Sequence, residues 1–214
     1  MQYTLIEKGE VHVDESCLFI EGAVLAANLT TKPLAPEKWL EPLLGEGFKA
    51  IQPAVEEQIH KQHNRIQRNE YSVLELTGKE PEQLADFAEG FMSVWPMIEE
   101  QWQDVELNDG LQRMLQALLT TLMLAIDEPA TQQQMRDAGI ETPPALTDLV
   151  DQLDLMVGEV ALGADELMVG NKAQSLNPFK GIGRNDPCPC ESGKKIQAVL
   201  WSITRLNRIA ALST

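Results

Sequence analysis

The chain has 214 residues, 43% of them hydrophobic, and a formal net charge of −16. That length holds one domain of ordinary size plus an appendage, and the apolar fraction supports a real core. So acidic a chain repels a phosphate backbone, which excludes nucleic-acid binding by its bulk. The charge is uneven, however. Residues 180–214 carry six basic and two acidic side chains, whereas residues 1–179 carry eleven basic and thirty-one acidic ones. Any contact with RNA or anionic lipid falls to the short basic stretch. No run of about 18 apolar residues is present, so no transmembrane segment is expected. The start, Met1 to Lys8, lacks the basic residues and long apolar stretch of a secretion signal, so the expected location is cytoplasmic. Cys17, Cys188 and Cys190 make no disulfide framework, and the closely spaced pair points to metal or redox chemistry.

Taken in order, residues 16–29 predict a first helix, capped by Ser16 or Asp14, with Leu18, Ala23, Leu25 and Ala26 as its apolar faces. Thr31 to Pro36 ends it. Pro36 to Leu40 starts another, with proline early and acid in the first turn. Residues 53–69 predict a polar helix with Val55, Ile59 and Ile66 on one side. Glu70 to Thr77 alternates weakly and reads as extended or loop. Pro81 opens a stronger helix through Leu84, Phe87, Ala88, Phe91, Met92 and Trp95, which Pro96 ends or kinks. Asp109 is the expected cap of the next, where Leu111, Met114, Leu115, Leu118, Leu119 and Leu122 recur at helical spacing. Asp127-Glu128-Pro129 closes it. Pro143-Pro144 precedes a long helix from Leu146 to Leu167. Gly170 to Gly183 is rich in Gly, Asn, Lys, Ser and Pro and reads as a linker. The expectation is an all-α array of about six or seven helices, divided as residues 1–169 body, 170–182 linker, 183–195 metal-module remnant and 196–214 basic amphipathic tail.

The chemistry is concentrated in Gly183 to Lys195, G-R-N-D-P-C-P-C-E-S-G-K-K. Two thiolates one residue apart can share one soft ion, and zinc takes tetrahedral sulfur and nitrogen ligands. Pro187 and Pro189 restrict the backbone, Gly193 permits a tight turn, and Lys194 and Lys195 offset thiolate charge. These residues resemble the SEC-C motif found at the C-terminus of the SecA translocation ATPase and in small bacterial proteins. Twelve of the thirteen positions match, with Glu191 in place of the usual glycine. The resemblance implies zinc held by Cys188, Cys190 and two further ligands at positions 199 and 200. Those positions are Val199 and Leu200, so half of the implied ligand set is missing and tight zinc binding is not expected.

Two readings of Ile196 to Thr214 stay open. In one, the tail is out of frame. Codons can be chosen for Ile196 to Trp201, ATT CAA GCA GTG CTG TGG, that read Phe-Lys-Gln-Cys-Cys-Gly when the first base is dropped, which would restore the implied ligands. In the other, Ile196, Val199, Leu200, Ile203, Leu206 and Ala210 form the apolar face of a basic amphipathic helix that docks on an acidic surface or lies on a membrane.

The body resembles the YecA/YgfB-like family of bacterial proteins in three places. Ile20 to Ala27 contains an acid-glycine pair, Glu21-Gly22, within an apolar helix. Pro33 to Leu40 follows a P-x-x-x-P-x-x-W-L-like run. Ala88 to Met92 matches an aromatic G-[FY]-[ML] helix. The resemblance spans residues 16–130 and implies an all-α domain with no established enzymatic activity. The SEC-C resemblance implies a protein partner such as a SecB-like chaperone or the ribosome.

Other candidates carry less. His60 and His63 with Glu56 one turn earlier have metal-ligand spacing, yet sit among Gln58, Lys61 and Gln62 as a solvated face does. Cys17, beside Leu18 and Phe19, reads as a buried thiol, and only His12 is near enough in sequence to act as its base. Trp39, Trp95 and Trp102 read as packing residues, and the Glu56-Glu57 and Glu99-Glu100 pairs as helix surface. The leading expectation is a non-enzymatic adaptor. The competing one is a metal-binding protein or metalloenzyme built on the body's carboxylates and histidines.

Overall fold

The computed structural model describes residues 3–6, 15–78 and 80–175. Among them the regular structure is entirely helical, with seven helices of eight residues or more, as the apolar spacing predicts. The first, α1 (Cys17–Asn28), begins where Ser16 Oγ accepts the Phe19 amide at 2.9 Å, so Ser16 is the cap. Every residue from Phe19 to Ala26 is buried. A helix apolar on all sides belongs at the centre of the array, and α1 is that element.

Around it lie α2 (Glu37–Leu44), which buries Trp39 and Leu40, and α3 (Phe48–Gln67), which starts five residues before the expected position. Pro53 lies within α3, where its missing N–H leaves one early carbonyl, that of Lys49, without its intrahelical donor. Asn69 closes α3 in the left-handed region, φ 55°, with its N–H on the Ile66 carbonyl. Residues 70–77 are extended or loop only as far as Ser72. They hold a single helical turn, α4 (Val73–Leu76), capped by Ser72. Its Val73 and Leu74 amides and the Ser72 hydroxyl all donate to Asp154, from a helix 80 residues further on.

Pro81 is the first residue of α5 (Pro81–Val94), and Trp95–Met97 tighten into a 3₁₀ turn at Pro96. The short α6 (Glu99–Gln103) buries Trp102, whose indole N–H donates to the Leu29 carbonyl at 2.9 Å. Asn108, not Asp109, caps α7 (Asp109–Ile126): its Oδ1 accepts the Leu111 amide, and Asp109 sits in the first turn. Asp127 both ends α7 and caps α8 (Glu128–Asp137), a helix the apolar pattern does not show. The predicted long helix from Leu146 is divided. A single turn, α9 (Leu146–Leu149), passes through a 3₁₀ turn at Val150–Gln152 into α10 (Leu153–Ser175), which runs through Gly170.

The core joins the inner faces of α1, α2, α3, α5, α7 and α10, with Trp39, Phe48, Phe87, Phe91, Trp95 and Trp102 as its aromatic component. Phe91 stacks on Trp95 at 5.8 Å between ring centroids. Trp39, Trp95 and Trp102 are buried packing residues, as expected. No described helix is long and apolar enough to cross a membrane.

Candidate functional site

The most extensive helix contact is the crossing of α1 and α5, and two glycines make it possible. A Cβ on Gly22 would lie 1.9 Å from the Phe87 carbonyl oxygen, and one on Gly90 would lie 1.8 Å from that of Phe19. Each glycine thus receives the backbone of the opposite helix. Both belong to the stretches that carry the body's family resemblance, and the crossing explains physically why glycine stands there.

Beside this contact α1 places a carboxylate in the interior. Glu21 is 1% exposed. Its Oε1 accepts from the Tyr3 hydroxyl at 2.5 Å, the Tyr71 hydroxyl at 2.9 Å and Gln62 Nε2 at 2.7 Å, and its Oε2 accepts from Gln58 Nε2 at 2.8 Å. These four donors are neutral. They come from the N-terminal segment, from α3 and from the connection into α4. The side-chain oxygen of Gln62, Oε1, accepts from Asn28 Nδ2 at 2.8 Å, which turns the Gln62 amide N–H groups toward Glu21. No buried side-chain nitrogen or oxygen among the described residues lacks a partner. The arrangement meets the condition that makes a buried charge tolerable, full hydrogen bonding.

The two tyrosines meet edge to face, with centroids 5.6 Å apart. Burial and the Glu21 charge push both hydroxyls well above the ordinary value of 10.0, so both remain donors at neutral pH. Above them a cavity of about 180 Å³ is lined by Tyr3, Glu70, Tyr71, Ser72, Glu75 and Leu76. Glu70 is engaged there by Arg65 at 2.6 Å.

Sequence reasoning placed Gln58 and Gln62 on a solvated face and did not single out Tyr3 or Tyr71; both glutamines are buried, 2% and 0% exposed, because they turn inward to Glu21. The glutamines did leave a signal. The buried face of α3 reads Phe48, Ile51, Val55, Gln58, Gln62, Ile66, so two amides occupy positions where the helical period demands apolar side chains.

The expected metal candidates of the body do not converge. His60 is exposed, Glu56 accepts from Gln52 at 2.8 Å, and His63 faces Asp165 at 3.8 Å. Among the described residues no three His, Cys, Asp or Glu side chains gather as a metal would require. Cys17 is half-buried rather than buried, because it occupies the first turn of α1, beyond the buried run that begins at Phe19.

A concavity of about 480 Å³ lies between α7 and α10, bounded by Leu111, Met114, Leu155, Glu159, Leu162 and Glu166 among others. It is open and acidic, and Leu155 and Leu162 on its rim are 56% and 48% exposed.

The family model described as the SEC-C motif matches residues 184–195. The chain carries a SEC-C motif. Cys188 and Cys190, the two expected metal ligands, fall inside that match and lie outside the described residues. The two further ligands that the resemblance implies, at positions 199 and 200, fall beyond the match, and the chain has Val199 and Leu200 there. No curated protein and no solved structure matches the chain.

Proposed function

We propose that this chain is a non-enzymatic adaptor of the YecA/YgfB-like kind, whose acidic helical body binds a protein partner and whose SEC-C element derives from a second, zinc-dependent contact. The observation that carries this reading is the SEC-C match at residues 184–195 on an all-α body. The family-like stretches support it: Glu21-Gly22 and Gly90-Phe91-Met92 meet at one helix crossing, and Trp39-Leu40 are fully buried. Such signals belong to architecture. Glu21 is engaged by four neutral donors of its own chain, which supports a fastening role for it.

In this reading residues 1–169 are the body, 170–182 the linker, 183–195 the remnant and 196–214 the altered tail, in the cytoplasm. A body contact and a tethered second contact reinforce each other through effective concentration. A SecB-like chaperone or the ribosome is the partner that the SEC-C resemblance implies. Affinity capture from cells tests the division of labour. The chain ending at Ile182 is expected to keep the body's partner and to lose any partner of the C-terminal segment. A capture set unchanged by the deletion contradicts a role for that segment.

A further inference from the structure

We propose that the groove between α7 and α10 is the docking site for a basic amphipathic helix presented by a protein partner. This names the partner chemistry for the protein-binding role proposed above and rests on that reading.

The outer face of α10 carries Leu155, Leu162 and Val169, exposed by 56%, 48% and 66%. They stand seven residues apart, which keeps them on one stripe with the slow drift that a second helix follows by supercoiling around the first. At 1.5 Å per residue the stripe is about 21 Å long, the reach of about four helical turns. Between its first two leucines stands Gly158, where a Cβ would meet nothing within 4 Å. Leu155, Gly158, Glu159 and Leu162 occupy positions i, i+3, i+4 and i+7, the four corners that receive one side chain of a facing helix. The glycine leaves the floor of that hole empty. On the other side Leu111 and Met114 of α7 form the second wall, and Gly163 lets Leu111 seat directly against α10.

Charge selects the occupant. Residues 138–171 contain seven acidic side chains and no lysine, arginine or histidine. Of these, Glu159 and Glu166 are exposed and line the groove itself. A second copy of this face would bring glutamate against glutamate, which like-charge juxtaposition penalises. A helix with an apolar stripe flanked by lysine and arginine meets the leucines with its stripe and the two glutamates with its flanks.

The test uses the full chain and two labelled 18-residue helical peptides with the same leucine stripe, one flanked by Lys and Arg, the other by Glu, read by fluorescence anisotropy. The basic peptide is expected to bind at least about tenfold more tightly than the acidic one, and to weaken as salt screens the pairs. Glu159→Lys with Glu166→Lys removes that preference. Gly158→Leu discriminates most sharply: it enlarges the apolar surface yet fills the hole, so binding is expected to fall by about tenfold. These positions are open to solvent, and a cooperative melting transition no lower than the parent chain's shows that each variant is folded.

Equal binding of the two peptides, binding of neither, tighter binding to Gly158→Leu, or a dimer in sedimentation that Leu162→Lys dissociates would each overturn the proposal. Those failures leave the adaptor reading standing if affinity capture still returns a body-bound partner. Loss of the captured partner with peptide binding intact would instead remove the adaptor reading.

Discussion

Adding one methyl group to Gly22 or to Gly90 should unfasten the centre of this molecule. The new Cβ would stand 1.9 Å from the Phe87 carbonyl oxygen in the first case and 1.8 Å from the Phe19 carbonyl oxygen in the second. Real Cβ atoms do not approach closer than 3.0 Å, so α1 and α5 must separate by about 1 Å. The opposing atoms are backbone and cannot turn aside as a side chain would. Separation loosens Ile20, Ala23 and Val24 against Phe87, Phe91 and Val94, all buried. Overpacking of this kind costs about 1–3 kcal/mol, and rigid backbone places it at the upper end. Alanine returns up to about 1 kcal/mol of intrinsic helix preference, which leaves a net loss of about 2 kcal/mol or more. Urea unfolding followed by far-ultraviolet circular dichroism measures it. Gly158→Ala is the control, because the same chemical change in open space on α10 should raise stability by up to about 1 kcal/mol. The reasoning is refuted if Gly22→Ala and Gly90→Ala are as stable as the parent chain.

Glu21→Ala leaves Gln58 and Gln62 buried with unmet amides and releases Tyr3 and Tyr71, so a loss of about 3–5 kcal/mol is expected in the same urea assay. Glu21→Gln keeps the shape and part of the bonding and should lose only about 1–2 kcal/mol; equal losses for the two variants would contradict the hub. Both tyrosines titrate above 10.0 in the folded chain, so their stabilisation is complete below pH 10 and is lost as pH rises beyond it, toward the raised folded values. Each contributes a slope of up to about 1.4 kcal/mol per pH unit there, and Tyr71→Phe should roughly halve the total. A flat stability profile between pH 10 and 11.5 would show that burial and Glu21 do not hold the hydroxyls protonated.

The helices that sequence shows best are those whose burial is one-sided. The period of α5 and α7 is set by the residues they turn inward, and it is readable without any neighbour. By contrast α8 has one buried residue, Thr131, in a run of Gln, Arg and acid, and nothing apolar marks it. It is held by the Asp127 cap, by Arg136 on Gln132 and Gln133, and by Glu128 accepting the Leu146 amide. The turn at α4 depends on Asp154, and a cap supplied from 80 residues away has no local signature. Glu21-Gly22 and Gly90 were legible as motif letters, but not that each glycine faces the other helix's backbone. Gln58 and Gln62 read as part of a solvated face, because an amide on a polar helix gives no local sign that a buried carboxylate from α1 awaits it. Tyr3 and Tyr71 reach the same carboxylate from outside any helix, where no period applies. The SEC-C stretch was legible at once because the match rests on a run of consecutive residue identities, at 184–195, and on no period or distant partner.

In the proposed function the SEC-C element derives from a zinc module and lacks two of its ligands, and metal content measures this directly. The chain as it is should be compared, after purification with equal zinc, with a version in which Phe-Lys-Gln-Cys-Cys-Gly replaces residues 196–214. The account predicts about one zinc per chain in the second, lost on Cys188→Ser, and far less in the first. Stoichiometric zinc in the unaltered chain, or none in the altered one, would contradict it.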